Sequence, residues 1–451
     1  MLQIILSLGF CAVMLGVMFA VRIWQKKSIK KVYDELKEKD YSYTLLIKGC
    51  DWGPAVDRII LAPGDAFKDF TPQDFDPKLF TVNVESERYA KDGKIEFFTK
   101  EIELEGACPC DIDGNPLAAF EEGDEDEGEA AGESGGHILL TVKYGPDMPE
   151  TNPFSYNVNN EHNEWKKKFD FKIEHPKLPS PITECSDWYS SDAQEFEVIK
   201  TGNELTCASW CPPSDGKKHP LIVWLHGAGE GGKDPNILLL GNKVTALKSR
   251  EIQAYFDGAY ILCPQNPTVW MQYGDEPYDI TREDSPTRVS KYTQSCKRII
   301  DAFISRHKDV DTRRIYIGGC SNGGYMTVNM LLNYPGFFAA AFPICEAYSD
   351  SWLSDGDIRE LGKVPLWFVA AKNDLTVDPE KHMIPTVRRC LELNGASNVR
   401  TSLFDDVHDS FGEYFGHWSW IYLFNDECVS ESEDDEGLWE WLSQKKLVED
   451  D

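Results

Sequence analysis

The sequence predicts a mostly parallel α/β domain with helices on both faces, preceded by an all-β sandwich and an N-terminal transmembrane helix. Three observations carry this. The apolar runs alternate with polar residues before about His175 and are unbroken after it. One unbroken run, "RRIYIGG" from Arg313, delivers the chain into "CSNGG" and then into a helical pattern, "YMTVNMLL". Residues 2–24 carry a single charge, Arg22.

The N-terminal stretch is long enough, as a helix, to cross a bilayer core of about 30 Å. No basic segment precedes it, no small-x-small cleavage site follows, and "QKKSIKK" comes next. Residues 1–25 therefore read as an uncleaved single-pass anchor, with a signal peptide as the alternative. The positive-inside rule puts the body on the cytoplasmic side. An extracytoplasmic or secreted body is the other possibility.

A chain of 451 residues is long for one core, so two further domains are expected. In residues 40–176, "YSYTLLIKG", "DRIILAP", "LFTVNVES", "KIEFFTKEIELEG", "HILLTVKYG" and "KKKFDFKIEH" are short alternating runs between turn-forming residues, the pattern of a β-sandwich. An acidic Gly-rich insertion at 120–136 falls between two of these strands and reads as disordered. The Pro-rich "HPKLPSPITE" reads as a linker. In residues 190–447, "HPLIVWLHG", "GAYILCPQ", "RRIYIGG", "FFAAAFPIC", "VPLWFVAAKND" and "VRTSLFDD" have the composition of strands buried on both faces. Helical stretches separate them. One is "YTQSCKRIIDAFISRH", with Cys296, Ile299, Ile300, Phe303 and Ile304 at helical spacing. Alternating β and α units give a mostly parallel sheet.

The formal net charge is −30, and acidic runs at 121–133, 431–436 and 449–451 hold about half of that excess. Such a surface repels phosphate, which argues against nucleic acid as a partner. The 13 cysteines are too sparse for a disulfide framework, and Cys263 and Cys345 sit in apolar runs as small hydrophobes. Cys108-Pro-Cys110 lacks the spacing of a zinc or redox pair. "DIDGNPLAAFEE" puts Asp111, Asp113, Asn115 and Glu122 at calcium-loop positions, but Pro116 stands where glycine is required, so a hairpin turn is the better reading. No metal or cofactor is expected.

The chemistry concentrates in four segments. Gly319-Cys320-Ser321-Asn322-Gly323 is a G-x-S-x-G nucleophile elbow, in which a serine on a tight strand-to-helix turn needs small neighbours. "LHGAGEGG", from Leu225, satisfies G-x-G-x-x-G after a strand. Pro235 interrupts soon afterwards, and no ribose-binding acid follows, so a dinucleotide site is rejected. Read from His226, the same letters fit an oxyanion loop, with the amides of Ala228 and Asn322 as donors and Glu230 as a loop brace or substrate contact. Asp374, just past a buried strand, is the candidate acid, with Asp378 and Asn373 as neighbours. His417 is the candidate base because an ordered apolar segment resumes after it. His408, at the start of the same loop, is the alternative. The tryptophans of "NPTVWMQYGDE" and "HWSW" could line an acyl or aryl pocket or lie in the core.

In the order Ser, Asp, His, with "LHGAGEGG", "GGCSNGGYM", "VAAKNDLTVDP" and "GHWSWIYLFN", the chain resembles bacterial α/β-hydrolase esterases. The nearest likeness is to two-domain esterases with an immunoglobulin-like N-terminal domain, related to prolyl oligopeptidase and polyhydroxybutyrate-depolymerase-like hydrolases. The motifs cover roughly residue 195 to the C-terminus. The departures are the membrane segment, the acidic insertion, and Ala370 and Ala371 where a histidine would precede the acid. The resemblance implies hydrolysis of carboxylic esters, small or polymer-linked, through an acyl-enzyme on Ser321, His417 and Asp374. Two rivals remain: a serine peptidase of similar fold, and a non-enzymatic surface binding protein with a vestigial hydrolase domain. Glu346, Asp350 and Glu413 are the acids that could hold an α-ammonium in an aminopeptidase.

Overall fold

The computed structural model describes residues 41–117, 136–200, 204–274, 290–395, 398–430 and 436–448. The expected anchor at 1–25 and nearly all of the acidic insertion lie outside these residues. Among the described residues no helix is long and apolar enough to cross a membrane, and every cysteine is a free thiol.

The N-terminal domain is built from β1 (Ser42–Cys50), β2 (Gly53–Ala62), β3 (Thr81–Tyr89), β4 (Ile95–Glu101), β5 (Leu104–Cys110), β6 (His137–Val142), β7 (Phe154–Asn157), β8 (His162–Trp165), β9 (Phe169–Glu174) and β10 (Cys185–Tyr189). A five-stranded sheet runs β10-β1-β2-β6-β5 and a three-stranded sheet β4-β3-β9, with β7 and β8 as a separate hairpin. Alternation explains the layering. Leu45, Ile47, Val56, Ile59, Ile138 and Leu140 of the first sheet share one core with Val82, Val84, Phe171 and Ile173 of the second. Tyr43 joins them, accepting a hydrogen bond from the Phe171 amide at 3.0 Å through its hydroxyl.

Two details differ from the sequence reading. "KIEFFTKEIELEG" is two strands, β4 and β5, that part at Ile102 and enter different sheets. The Pro-rich segment after His175 is also no free linker. Ile182 is buried and bridges Ile173, and β10 then pairs in parallel with β1. The first domain thus runs past residue 176. A strand so short and polar as "CSDWY" offers no periodicity to read. The calcium-like segment is an Asx turn, in which Asp111 accepts from the amides of Asp113 and Asn115.

The second domain is an eight-stranded sheet in the order β11-β12-β14-β13-β15-β16-β17-β18. Its strands are β11 (Glu197–Lys200), β12 (Thr206–Trp210), β13 (His219–Leu225), β14 (Tyr260–Gln265), β15 (Val310–Cys320), β16 (Ala340–Ile344), β17 (Leu366–Ala371) and β18 (Val399–Phe404). The two leading strands are antiparallel additions and the rest are parallel. β13, β14, β16 and β17 are buried at every residue, as unbroken apolar runs require. The two faces of the sheet lie in different cores, Ile222 and Trp224 in one, Leu221 and Val223 in the other. Burying each such side chain contributes about 1.5–3 kcal/mol.

The domains meet along a polar seam. Asp51, in the turn between β1 and β2, pairs with Lys243 at 2.9 Å and with Asn425 at 3.0 Å. A cleft of about 550 Å³ opens beside it, lined by Lys48, Lys243, Lys248 and Asp426 among others. None of the candidate site residues lines it, and Lys248 is engaged by Asp192 and Glu195.

Candidate active site

β13 and β15 are parallel neighbours, with Leu225 opposite Gly319 at their carboxyl ends. The two loops singled out in the sequence therefore leave the sheet side by side, where open α/β sheets place their ligands.

The elbow explains its own composition. Ser321 stands at φ 55°, ψ −114° and caps the helix Asn322–Asn333. A non-glycine residue held there stores on the order of 1–3 kcal/mol of strain. Its neighbours must hold it: its amide donates to the Ile344 carbonyl at 2.9 Å, and its carbonyl accepts from Tyr325 at 3.0 Å. The glycines answer to close backbone approach. A Cβ on Gly323 would lie 1.9 Å from the Leu225 carbonyl oxygen, and one on Gly319 would lie 2.4 Å from the same atom. On Gly324 it would meet the Glu346 Cα at 2.6 Å.

The acid and base converge from separate loops. Asp374 follows β17. Its Oδ1 accepts from the amides of Thr376 (2.8 Å) and Val377 (2.9 Å), which aims Oδ2 at His417. His417 Nδ1 lies 2.7 Å from that oxygen, with the carboxylate fully buried. The approach depends on Gly416, where a Cβ would fall 2.1 Å from Asn373 Oδ1 and 2.6 Å from its carbonyl oxygen. Trp420 stands edge-on to the imidazole with ring centres 5.8 Å apart. His408 sits elsewhere, on β19 (Val407–Asp409), which pairs with β20 (Gly412–Tyr414). It is exposed and bonded to Asp406 at 2.6 Å, and that carboxylate raises its pKa.

The loop after β13 is held by buried polar groups. His226 is fully buried, which pushes its pKa down to about 3 and keeps the imidazole neutral. Its Nδ1 reaches the Gly227 carbonyl at 2.6 Å and its Nε2 accepts from the Asn266 amide at 3.2 Å, so the proton belongs on Nδ1. Trp270 is core rather than pocket wall. Its indole N–H donates to the His226 carbonyl at 3.1 Å, and its backbone amide donates to the side chain of Asn322. Glu230 is buried beneath the loop. Desolvation raises its pKa to about 7, although Asn163 donates to the carboxylate.

The sequence reading missed the contribution of the first domain. The β7–β8 hairpin lies against this loop: His162 Nδ1 is 2.9 Å from the Ala228 carbonyl oxygen, and Asn163 donates to Glu230 Oε1 at 3.1 Å. Its only trace in the sequence was "NPFSYN" ahead of "NEWKKKFDF", which carries no periodicity. Of the acids considered for an α-ammonium, Asp350 is taken by Arg389 at 2.9 Å. Glu346 is buried, accepts from the Tyr348 amide at 2.6 Å, and has its pKa pushed well up by desolvation.

The sequence model of the prolyl oligopeptidase family (Peptidase S9) matches residues 272–355, a span that includes the elbow. Among solved structures, a thermostable esterase superposes with a TM-score of 0.65 at 21% identity, over 90% of this chain and 99% of its own. Pyrococcus horikoshii acylaminoacyl peptidase matches at 14% identity over 80% of this chain and 57% of its own, with a TM-score of 0.37. An S-formylglutathione hydrolase from Agrobacterium tumefaciens matches at 16% identity over 56% of this chain and 95% of its own, with a TM-score of 0.36. No curated protein matches the chain by sequence. The fold is that of the α/β hydrolases, and the thermostable esterase shares it across both domains. The family match is confined to the elbow-bearing segment, while the structural likeness extends the shared fold over most of the chain.

Proposed function

We propose that this hydrolase cleaves carboxylic esters through an acyl-enzyme on Ser321. In this reading Ser321 Oγ attacks the carbonyl carbon as His417 Nε2 takes its proton. Asp374 fixes the tautomer with the proton on Nδ1 and stabilises the imidazolium. The amides of Ala228 and Asn322 hold the oxyanion. The protonated imidazole then gives its proton to the leaving alcohol, and water repeats the sequence to release the acid. The observation that supports this most is the 2.7 Å contact of His417 with a fully buried Asp374, at the same carboxyl end of the sheet as a serine at positive φ.

The surroundings favour an apolar acyl or aryl group. Leu375 beside the acid and Phe415 just before the base stay exposed, as does Tyr273 after the Trp270 turn. The peptidase reading draws on the Peptidase S9 match. Against an aminopeptidase, Asp350 is already paired and Glu346 is buried, with desolvation pushing its pKa well up.

The test is fluorophosphonate labelling of the full chain, followed by hydrolysis of an amino-acid ester and its matched amide, with and without a free α-amine. We expect labelling at Ser321 and a strong preference for the ester. Preference for the free amine, sustained on the amide, would establish the peptidase instead. The single-pass anchor at 1–25 and an immunoglobulin-like assignment for the first domain are proposals of the same standing, resting on the apolar N-terminus and on the two-sheet core.

A further inference from the structure

Three side chains of the β7–β8 hairpin each reach a different point of the segment 228–234. His162 Nδ1 meets the Ala228 carbonyl at 2.9 Å, Asn163 Nδ2 meets Glu230 Oε1 at 3.1 Å, and the Trp165 indole N–H meets Asp234 Oδ2 at 2.8 Å. Asp234 in turn caps the helix Pro235–Gly241 through the Asn236 amide. The loop is shaped to receive the hairpin. A Cβ on Gly231 would fall 2.0 Å from the Thr268 carbonyl oxygen and 2.6 Å from the His162 ring, and one on Gly229 would fall 3.2 Å from the Asn163 amide nitrogen. Gly231 thus answers to a neighbouring loop of its own domain and to the hairpin together, and Gly229 to the hairpin. The Glu230 carboxylate also packs against Gly227, where a Cβ would fall 2.9 Å from Oε2, beside the peptide that presents the Ala228 N–H.

We infer that the N-terminal domain sets the oxyanion hole, with His162 and Asn163 as positioning residues: His162 holds the Ala228–Gly229 peptide and Asn163 orients Glu230, which orients Gly227. This rests on the reading of Ala228 as an oxyanion donor. Within 227–232 the loop's own side chains are one methyl group and one carboxyl among glycines, so most of its bracing comes from outside that stretch. A donor displaced by about 1 Å costs up to about 100-fold in rate while substrate still binds.

The test uses the full chain. Asn163→Asp puts an acceptor against the Glu230 carboxyl, and Glu230→Gln in that background supplies a donor in return. For Asn163→Asp we expect kcat on p-nitrophenyl butyrate to fall about 10- to 100-fold with KM changed less than about threefold. Affinity for a trifluoromethyl ketone should fall by the same factor as kcat/KM, and amide exchange at 227–232 should quicken. The double variant should recover most of all three. A purely structural role predicts a lower Tm with unchanged kcat and ketone affinity, and that result would overturn the inference. So would failure of Glu230→Gln to rescue. If the wild type neither hydrolyses the ester nor takes the fluorophosphonate, the functional reading falls, and exchange at 227–232 alone decides whether the hairpin orders the loop. Exchange unchanged by both substitutions would end the inference there too.

Discussion

The elbow and the loop after β13 leave neighbouring strands side by side, yet they are held in opposite ways. The elbow is fixed largely by backbone. Its strained serine, its helix and its three close-packed glycines are contiguous, and most of what presses on them from outside is main chain, Leu225 of β13 and Ile344 to Glu346 at the end of β16. The loop after β13 has no such means. His226 and Glu230 brace it from below through Asn266 and Gln265, and the far domain braces it from above through His162 and Asn163. A site can thus join a motif that is nearly autonomous to one that is borrowed. The autonomous half can be read along the chain. The borrowed half has its causes scattered over more than a hundred residues.

The sharpest way to probe the autonomous half is to remove its nucleophile. Ser321→Ala should lower ester turnover on the order of 10⁴- to 10⁶-fold with an unchanged far-ultraviolet spectrum; near-normal turnover would place the chemistry elsewhere. His417→Ala should cost about as much, and Asp374→Asn about 10⁴-fold, because the asparagine favours the wrong imidazole tautomer. His408→Ala, in the same assay, should remain within about twofold, since its ring is tied to Asp406 at the surface.

Next in size is a stability effect. Gly323→Ala drives a methyl group into the Leu225 carbonyl, an atom that cannot move without the sheet. We expect a loss of about 3 kcal/mol in urea titrations. Gly437→Ala, whose Cβ would meet nothing within 4 Å, is the control.

An effect of similar size at high pH, vanishing near pH 4.5, addresses the borrowed half. Burial raises the Glu230 pKa from 4.5 to about 7, so the folded state binds the proton more tightly than the unfolded one. The carboxyl therefore costs no stability below about pH 4.5. Its cost grows as pH rises through the folded pKa and reaches about 3 kcal/mol above it. Glu230→Gln should match the wild type in Tm near pH 4.5 and exceed it by a widening margin towards pH 8. A constant margin would mean that Glu230 is ionised throughout and that its partners fully offset the desolvation.

Much of this was legible in the amino-acid order alone. Buried parallel strands announce themselves as unbroken apolar runs, and β13, β14, β16 and β17 fall where such runs lie, because a strand covered on both faces leaves little room for a polar residue. The G-x-S-x-G pattern marks the elbow because its causes are steric and local. The same logic stops at the loop between β18 and the C-terminal segment. His408 and His417 share it, and local chemistry gave only an indirect reason to prefer either. In the fold, Gly416 lets the chain press against Asn373, and that approach brings His417 to Asp374. The roles of Trp270 and Trp420 likewise followed from their neighbours and not from composition. The β7–β8 hairpin was the least visible of all. Two four-residue strands with half-buried polar side chains have no period, and their partners lie in another domain. Sequence determines what is decided within a few residues, by sterics and by the continuity of burial. Contacts between distant polar side chains depend on which surfaces the completed core brings together, and only the tertiary structure could decide those.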